Sequence, residues 1–364
     1  MNAVVKQIEL PRDRRVLAVS DIHGNLPFLK GLLDKVGFTP RDVLIILGDM
    51  LEKSEPSLET LRFIMELSES HTVHTLLGNC DNITLAFVDG RDQVPDEFFE
   101  YWFRTRKETC TLVKMARMAG GKLDSPGDYP AARSAIGAAF APELDFLRSL
   151  PHILLDDHYL FVHGGVPRED RLEELDAYAC MKNDDFLGQG HSFHRWVVVG
   201  HWPVTLYRED IPSAKPLLDH ARRIASIDGG CVLKADGQLN ALILPREPGG
   251  EFSYAAYDGF PVMTAQDDQE PSEDPVNIRF GHSALAVLER GPELCRCRHL
   301  ETGRELDVLT EYLWEREGVT HCEDSTDYRL PVTAGDRLSV VRRTSRGNLC
   351  KKDGATGWYF GKLQ

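Results

Sequence analysis

An α/β domain followed by a small β-rich domain is the fold class this sequence predicts. Three observations point to it. Short β-branched runs alternate with amphipathic helical stretches along the N-terminal part of the chain. The composition then breaks at the acidic, proline-containing stretch MTAQDDQEPSEDP (263–275). Beyond it come only short strand-like runs separated by Gly and Asp turns.

The elements follow in order. VLAVS (16–20) reads as a strand, and PFLKGLLDKVG (27–37) as an amphipathic helix with Pro27 in its first turn. VLIIL (43–47) is a second strand, PSLETLRFIMELSES (56–70) a second helix and VHTLL (73–77) a third strand. This alternation implies parallel pairing in a sheet covered on both faces. Residues 83–150 lack strand runs and are rich in Ala, Leu, Met and aromatics, which predicts a helical insertion. Within it, FFEYWF reads as the core side of a helix rather than a base-stacking surface. Strands resume at YLFVHGG (159–165), RWVVVGH (195–201) and RIASIDGG (223–230). CVLKADGQLNALILP (231–245) predicts a hairpin turning at Asp236-Gly237. The expected organisation is therefore a first domain over 1–245, a linker over 246–275 and a small domain over 276–364. In the last of these, YRLPVTAGDRLSVV and GATGWYFGKL resemble an SH3-like barrel, which implies a module that binds a protein partner.

Composition narrows the function. The 364 residues are 42% apolar and 27% charged, the profile of a soluble globular protein. A formal charge of -15 argues against a nucleic-acid partner, which needs a basic surface. The longest apolar runs are too short to span a bilayer, so no membrane partner is expected. The N-terminal MNAVVKQIELPRDRR lacks the apolar region of an export signal, and the eight cysteines are scattered, so free thiols and a cytoplasmic location are expected.

The chemistry lies in how the strands end. VLAVS runs into DIHGN, VLIIL into GDMLEKS and VHTLL into GNCDN, while HGG and GHWP close two later strands. The carboxyl ends of parallel strands share one edge of a sheet, where ligands bind. Asp21, His23, Asp49, Asn79, His163 and His201 therefore converge. Carboxylate, imidazole and amide oxygen suit two divalent ions such as Mn, Fe or Zn. Asp21 and Asp49 neutralise only part of the charge of two such ions, which leaves room for hydroxide and an anionic phosphate.

The ordered set D-x-H, G-D, G-N, H-G-G and G-H resembles the calcineurin-like metallophosphoesterases, over roughly residues 14 to 245. HGGVP and GHWPV, with Pro203 where phosphodiesterase relatives carry a second histidine, are most similar to the branch of phosphoprotein phosphatases and bacterial diadenosine tetraphosphatases. SIDGGCV adds to that likeness. The resemblance implies a sandwich of two sheets. It also implies that Asp21 and His23 hold a first metal, that Asp49 bridges, that Asn79, His163 and His201 complete a second site, and that a metal-bridging hydroxide attacks phosphorus.

The pattern departs from that branch at several places, among them Leu77, which stands before G-N where the branch often has a phosphate-binding arginine. Glu52 and Lys53 replace an Asp and an Arg, keeping charge but losing the guanidinium fork. Cys80 stands where the branch has the histidine that protonates the leaving oxygen, with the residue at Glu52 orienting it. Lys182 falls near a further phosphate-binding arginine. Cys80, Glu52 and Asp49 are thus the expected catalytic groups, and Lys53, Asn79 and Lys182 the expected phosphate-binding groups. The expected function is hydrolysis of phosphomonoesters, resembling the serine/threonine protein phosphatases and acting on a phosphoprotein or small ester. The alternatives are a dinucleoside polyphosphate hydrolase or phosphodiesterase, and a metal-binding scaffold with a retuned site. Cys295, Cys297 and His299 alternate in CRCRH as zinc ligands could, although ordinary strand residues are the plainer reading.

Overall fold

In a computed structural model that describes residues 1–91, 94–247 and 249–364, the chain forms two units. The first takes Met1–Trp202, Pro216–Leu233 and Leu239–Tyr257. It opens with β1 (Val5–Gln7), β2 (Val16–Val19), α1 (Leu26–Lys35), β3 (Val43–Ile46), α2 (Ser57–Ser70) and β4 (Thr72–Thr75). Helices α3 (Asn79–Asp89), α4 (Asp96–Thr105), α5 (Thr111–Met118), α6 (Tyr129–Ala139) and α7 (Ala141–Ser149) follow. Strands return as β5 (Ile153–Leu155) and β6 (Tyr159–Val162), then the short helix α8 (Ala177–Met181). The unit closes with β7 (Trp196–Val199), β8 (Leu217–Asp219), β9 (Ile224–Ser226), β10 (Leu239–Ile243) and β11 (Ser253–Tyr257).

These strands make two sheets, as the resemblance implies. The orders are β11-β10-β2-β3-β4 and β1-β5-β6-β7-β9-β8. Strands β2, β3 and β4 run parallel, as the strand–helix alternation predicts, and β6, β7 and β9 do the same in the second sheet. The period-two alternation of side chains explains the layering. Val16, Ala18, Val43 and Ile45 pack with Phe161, Val198 and Ala225 of the other sheet. The intervening Leu17, Val19, Leu44 and Ile46 pack instead with helical residues such as Leu29, Leu61, Phe87 and Ile136. Both faces of the first sheet are therefore dry, and its strands read as continuous apolar runs. The fold is mixed α/β with a β-rich C-terminal region.

The hairpin expected at Asp236-Gly237 is absent. Val232 takes a left-handed backbone (φ 67°) and Leu233 is exposed, so residues 231–237 turn instead of running as a strand. The antiparallel partners of β10 are β2 and β11. Residues 246–275 likewise carry paired strands, since β11 lies there and Val262–Thr264 pairs with Arg337–Ser339.

The second unit takes Pro203–Lys215, Lys234–Gln238 and Asp258–Gln364. Val262–Thr264, Arg337–Arg343, Asn348–Lys352 and Ala355–Tyr359 form a four-stranded antiparallel sheet. A five-stranded antiparallel sheet joins Glu305–Leu309, Leu294–His299, Ala284–Glu289, Val319–Cys322 and Leu313–Arg316. Cys295 and Cys297 point into the apolar core of the latter beside Leu285 and Val308, and His299 bonds to Thr302 and the His282 carbonyl. These are strand residues doing structural work. Among the described residues, no helix is long and apolar enough to cross a membrane.

Candidate metal centre

The six residues picked from strand endings come together at one end of the first unit's sheets. Asp21 and His23 follow β2, Asp49 follows β3, Asn79 opens α3 after β4, His163 follows β6 and His201 follows β7. Their local backbone is unusual. Asp21, His23, Asp49 and His201 all hold positive φ, between 49° and 65°. Such left-handed conformations cost non-glycine residues on the order of 1–3 kcal/mol each and cluster at functional sites.

Close approach of the loops also dictates glycine. A Cβ on Gly78 would lie 2.1 Å from the Asp49 amide nitrogen and 2.2 Å from Asp49 Oδ1. One on Gly200 would lie 1.8 Å from Ser20 Oγ and 2.4 Å from Asp21 Oδ2. The G-D, G-N and G-H pairs are thus packing requirements of the site.

Two donor groups result. The ligating atoms of Asp21, Asp49 and His163 lie within 4.8 Å of one another, as do those of His23, Asp49 and Cys80. Asp49 belongs to both, the position a bridging ligand would take. His163 Nδ1 pairs with the Leu47 carbonyl at 2.9 Å, which leaves Nε2 facing Asn79 Oδ1 at 3.1 Å and Asp49 Oδ1 at 3.4 Å. Asp49 Oδ1 also accepts from the Cys80 amide at 2.8 Å, at the start of α3. His201 Nε2 meets Asp184 Oδ1 at 2.7 Å, and the His201 amide donates to Asp21 Oδ2 at 2.9 Å.

The residues fit divalent ions. Asp21 Oδ1 and His23 Nδ1 are buried without a hydrogen-bond partner among the described residues, an expensive state for polar atoms. The charges are unbalanced as well. Burial and the Asp49 carboxylate push Asp21 up, partly offset by His163. Burial lowers the proton affinity of His163, but Asp49 and Asp21 outweigh it and raise its pKa to about 9. His23 is driven the other way, to about 3, by burial and by Lys53. Lys53 Nζ lies 3.1 Å from His23 Nε2, so an ammonium stands where the cluster calls for a cation.

The other expected residues divide. Lys53 and Asn79 sit in the centre, and Lys182 reaches it, with Nζ 3.4 Å from His201 Nε2 and paired to Asp184. Cys80 is buried, and burial with the adjacent Asp49 pushes its thiol well above the ordinary range. Glu52 turns to the helical insertion. Its carboxylate accepts from Trp102 Nε1 at 3.1 Å and from the Thr111 amide at 3.0 Å.

Four neighbours escaped the sequence reading. Ser20 Oγ donates to Asp21 Oδ2 at 2.5 Å. Asp81 accepts from the amides of Met50, Leu51 and Gly78, which ties the G-D loop to the G-N loop. Asp184 holds His201. Asp228 is fully buried, with Oδ1 accepting from the Gly230 amide and Oδ2 without a hydrogen-bond partner among the described residues. Asp81 carried a signal in its place beside Cys80 in GNCD, and Asp228 in its place within SIDGGCV.

Known proteins share this arrangement of sequence. A protein of Photobacterium profundum named bis(5'-nucleosyl)-tetraphosphatase, symmetrical, is 30% identical over 179 residues, covering 46% of this chain and 53% of that one. Its namesake in Thioalkalivibrio sulfidiphilus is 40% identical over 179 residues, covering 48% and 54%. The chain spans about half the length of the curated relatives it matches. Among solved structures, a metallophosphoesterase from Sphaerobacter thermophilus is similar over 67% of this chain and 88% of that one, at 17% identity and a TM-score of 0.35. Residues 14–225, more than half of the chain and a span that includes all six converging residues, match the calcineurin-like phosphoesterase model, and the chain belongs to that family.

Proposed function

We propose that this chain is a two-metal phosphoesterase that hydrolyses phosphate anhydrides of the dinucleoside polyphosphate kind, ahead of phosphomonoesters. The observation that carries this reading is that Cys80, and not a histidine, follows Asn79. Cys80 offers only a buried, weakly acidic thiol, and the Glu52 carboxylate is occupied by Trp102 and Thr111. An anhydride expels a phosphate oxygen of low basicity, which departs without a proton from the protein, whereas an alkyl phosphate depends on one. The names of the relatives support the same substrate class.

Asp21, His23, Asp49, Asn79, His163 and His201 would hold the ions. When bound, these ions supply Lewis acidity that neutralises phosphate charge and lowers the pKa of the attacking water. The protein's own groups do the rest. Lys53 and Lys182 present point charges to the phosphate from two sides of the ligand cluster. Asp184 and the Leu47 carbonyl fix the rings of His201 and His163, and Ser20 fixes Asp21. Water oxygen adds to phosphorus, one P–O–P bond breaks and two nucleotides leave, with one water consumed.

Manganese, iron and zinc all suit the donor set, and manganese is the choice for a first loading. Eight buried thiols outside any disulfide support a reducing, cytoplasmic setting. The likeness of the C-terminal stretches to an SH3-like barrel supports a partner-binding role for that unit. Metal-depleted protein reloaded with manganese should turn over diadenosine tetraphosphate faster than phosphopeptides or alkyl phosphates. Preference for a phosphopeptide would restore the phosphomonoester reading, and no turnover of any of them would restore the scaffold.

A further inference from the structure

An aromatic groove begins at the metal centre. Helix α3 starts at Asn79, and Ile83 and Ala86 continue the same helical stripe at spacings of four and three residues, forming one wall. Phe98 and Trp102, one turn apart on α4, form another, and Tyr178 and Lys182 line the groove from α8 and its end. The seven residues of helical rise from Asn79 to Ala86 make it about 10 Å long.

The two ends differ in chemistry. Near Asn79 the Lys182 ammonium lies 3.4 Å from His201 Nε2, which suits a phosphate. Further along, the walls are apolar and aromatic. Trp102 is held rigid by its bond to Glu52 and by the Arg106 guanidinium, 3.8 Å from the ring centroid. Phe98 stacks on Trp102 at 5.6 Å and an interplanar angle of 26°. Yet Phe98 stays 37% exposed and Tyr178 50% exposed, while Phe99, Trp102 and Phe103 of the same aromatic run are buried. The run therefore supplies helix core and also leaves two rings exposed, of which Phe98 lines the groove and Tyr101 does not. Asp176, the carboxylate in the wall, is committed to capping α8 through the Ala179 amide at 2.9 Å.

We propose that Phe98 and Tyr178 are specificity-determining residues that hold the base and sugar of a nucleotide whose phosphate lies at the metal ligands. This rests on the anhydride reading above. A groove of about 10 Å accommodates base plus sugar, where a single aryl ring would fill only part of it. Exposed aromatic rings stack on a base whatever its identity. An extended peptide is the poorer occupant, because the walls are largely helix, whose backbone groups are already hydrogen-bonded and offer no edge to pair with.

The test uses the manganese-loaded full chain and its Phe98→Ala, Phe98→Trp and Tyr178→Ala variants. Both residues are well exposed, so the variants should fold. Diadenosine tetraphosphate is compared with inorganic tripolyphosphate, which has the anhydride but no ring, and ADP binding is titrated calorimetrically against pyrophosphate. Each alanine variant should lower kcat/KM for the dinucleotide by roughly 5- to 150-fold, the range for one lost stacking contact, and mainly through KM. Tripolyphosphate kinetics should not change, ADP affinity should fall in step, and Phe98→Trp should retain both. Unchanged dinucleotide kinetics, or equal losses on both substrates, overturn the proposal. If the wild-type enzyme cleaves neither anhydride, the anhydride reading fails, and ADP affinity in the variants still decides whether the groove binds a nucleoside.

Discussion

Replacing Glu52 with alanine should unfasten the helical insertion before it alters the chemistry. The carboxylate is fully buried and takes hydrogen bonds from Trp102 Nε1 at 3.1 Å and the Thr111 amide at 3.0 Å, which fastens α4 and α5 to the loop after β3. Removing it strands these two N–H donors, and the weaker Cys110 thiol donor 3.8 Å away, in places where water has little access, since Trp102 is 8% and Thr111 1% exposed. Each buried donor left unpaired costs about 1–3 kcal/mol, so the loss should be about 2–6 kcal/mol. For a unit of this size, 1 kcal/mol moves Tm by about 2–4 °C, and a mid-range loss lowers it by about 8–16 °C. Glu52→Gln should fall between, because an amide has one acceptor oxygen where both donors need one. Differential scanning calorimetry of the manganese-loaded protein measures the shift, and limited proteolysis over 90–125 reports whether the insertion opens first. A variant with wild-type Tm and a large fall in kcat would show that Glu52 serves catalysis and that its bonds to the insertion are incidental.

Further outcomes follow from the same geometry. Asp49→Asn should remove the one carboxylate shared by both donor groups, lowering bound manganese and cutting kcat by more than the roughly 10²–10³-fold typical of a single lost electrostatic group; full metal content by elemental analysis would contradict this. Gly200→Ala would press a methyl onto Ser20 Oγ and Asp21 Oδ2, so metal affinity should drop while the fold survives, and unchanged affinity would mean these loops yield freely. Cys80→Ser should be mild and Asn79→Ala severe across a leaving-group series, whereas equal losses would make the thiol a ligand or an acid. Lys53→Ala should raise KM for phosphate substrates with Lys53→Arg largely retaining them, and wild-type kinetics in the alanine variant would remove Lys53 from phosphate binding.

The convergence of these six residues was legible in the chain because a parallel α/β arrangement obliges strand endings to share an edge, so order and residue type suffice without distances. The strand–helix alternation, the helical character of 83–150 and the strand-rich C-terminal region were equally readable, since hydrophobic periodicity is a local property. Tertiary structure decided what depends on contacts remote in sequence. It decided which face of each apolar run is buried by helices and which by the other sheet, a division the runs by themselves leave open. It replaced the hairpin at Asp236-Gly237 with a pairing of β10 to β2 and β11, because strand partners are chosen by register and burial across the whole unit. It turned Glu52 toward Trp102 and Thr111, an alliance that 50 to 59 residues of intervening chain conceal. It also supplied Asp184, whose role comes from the partner that folding assigns rather than from any motif around it, and the burial of Asp228, which SIDGGCV alone does not show.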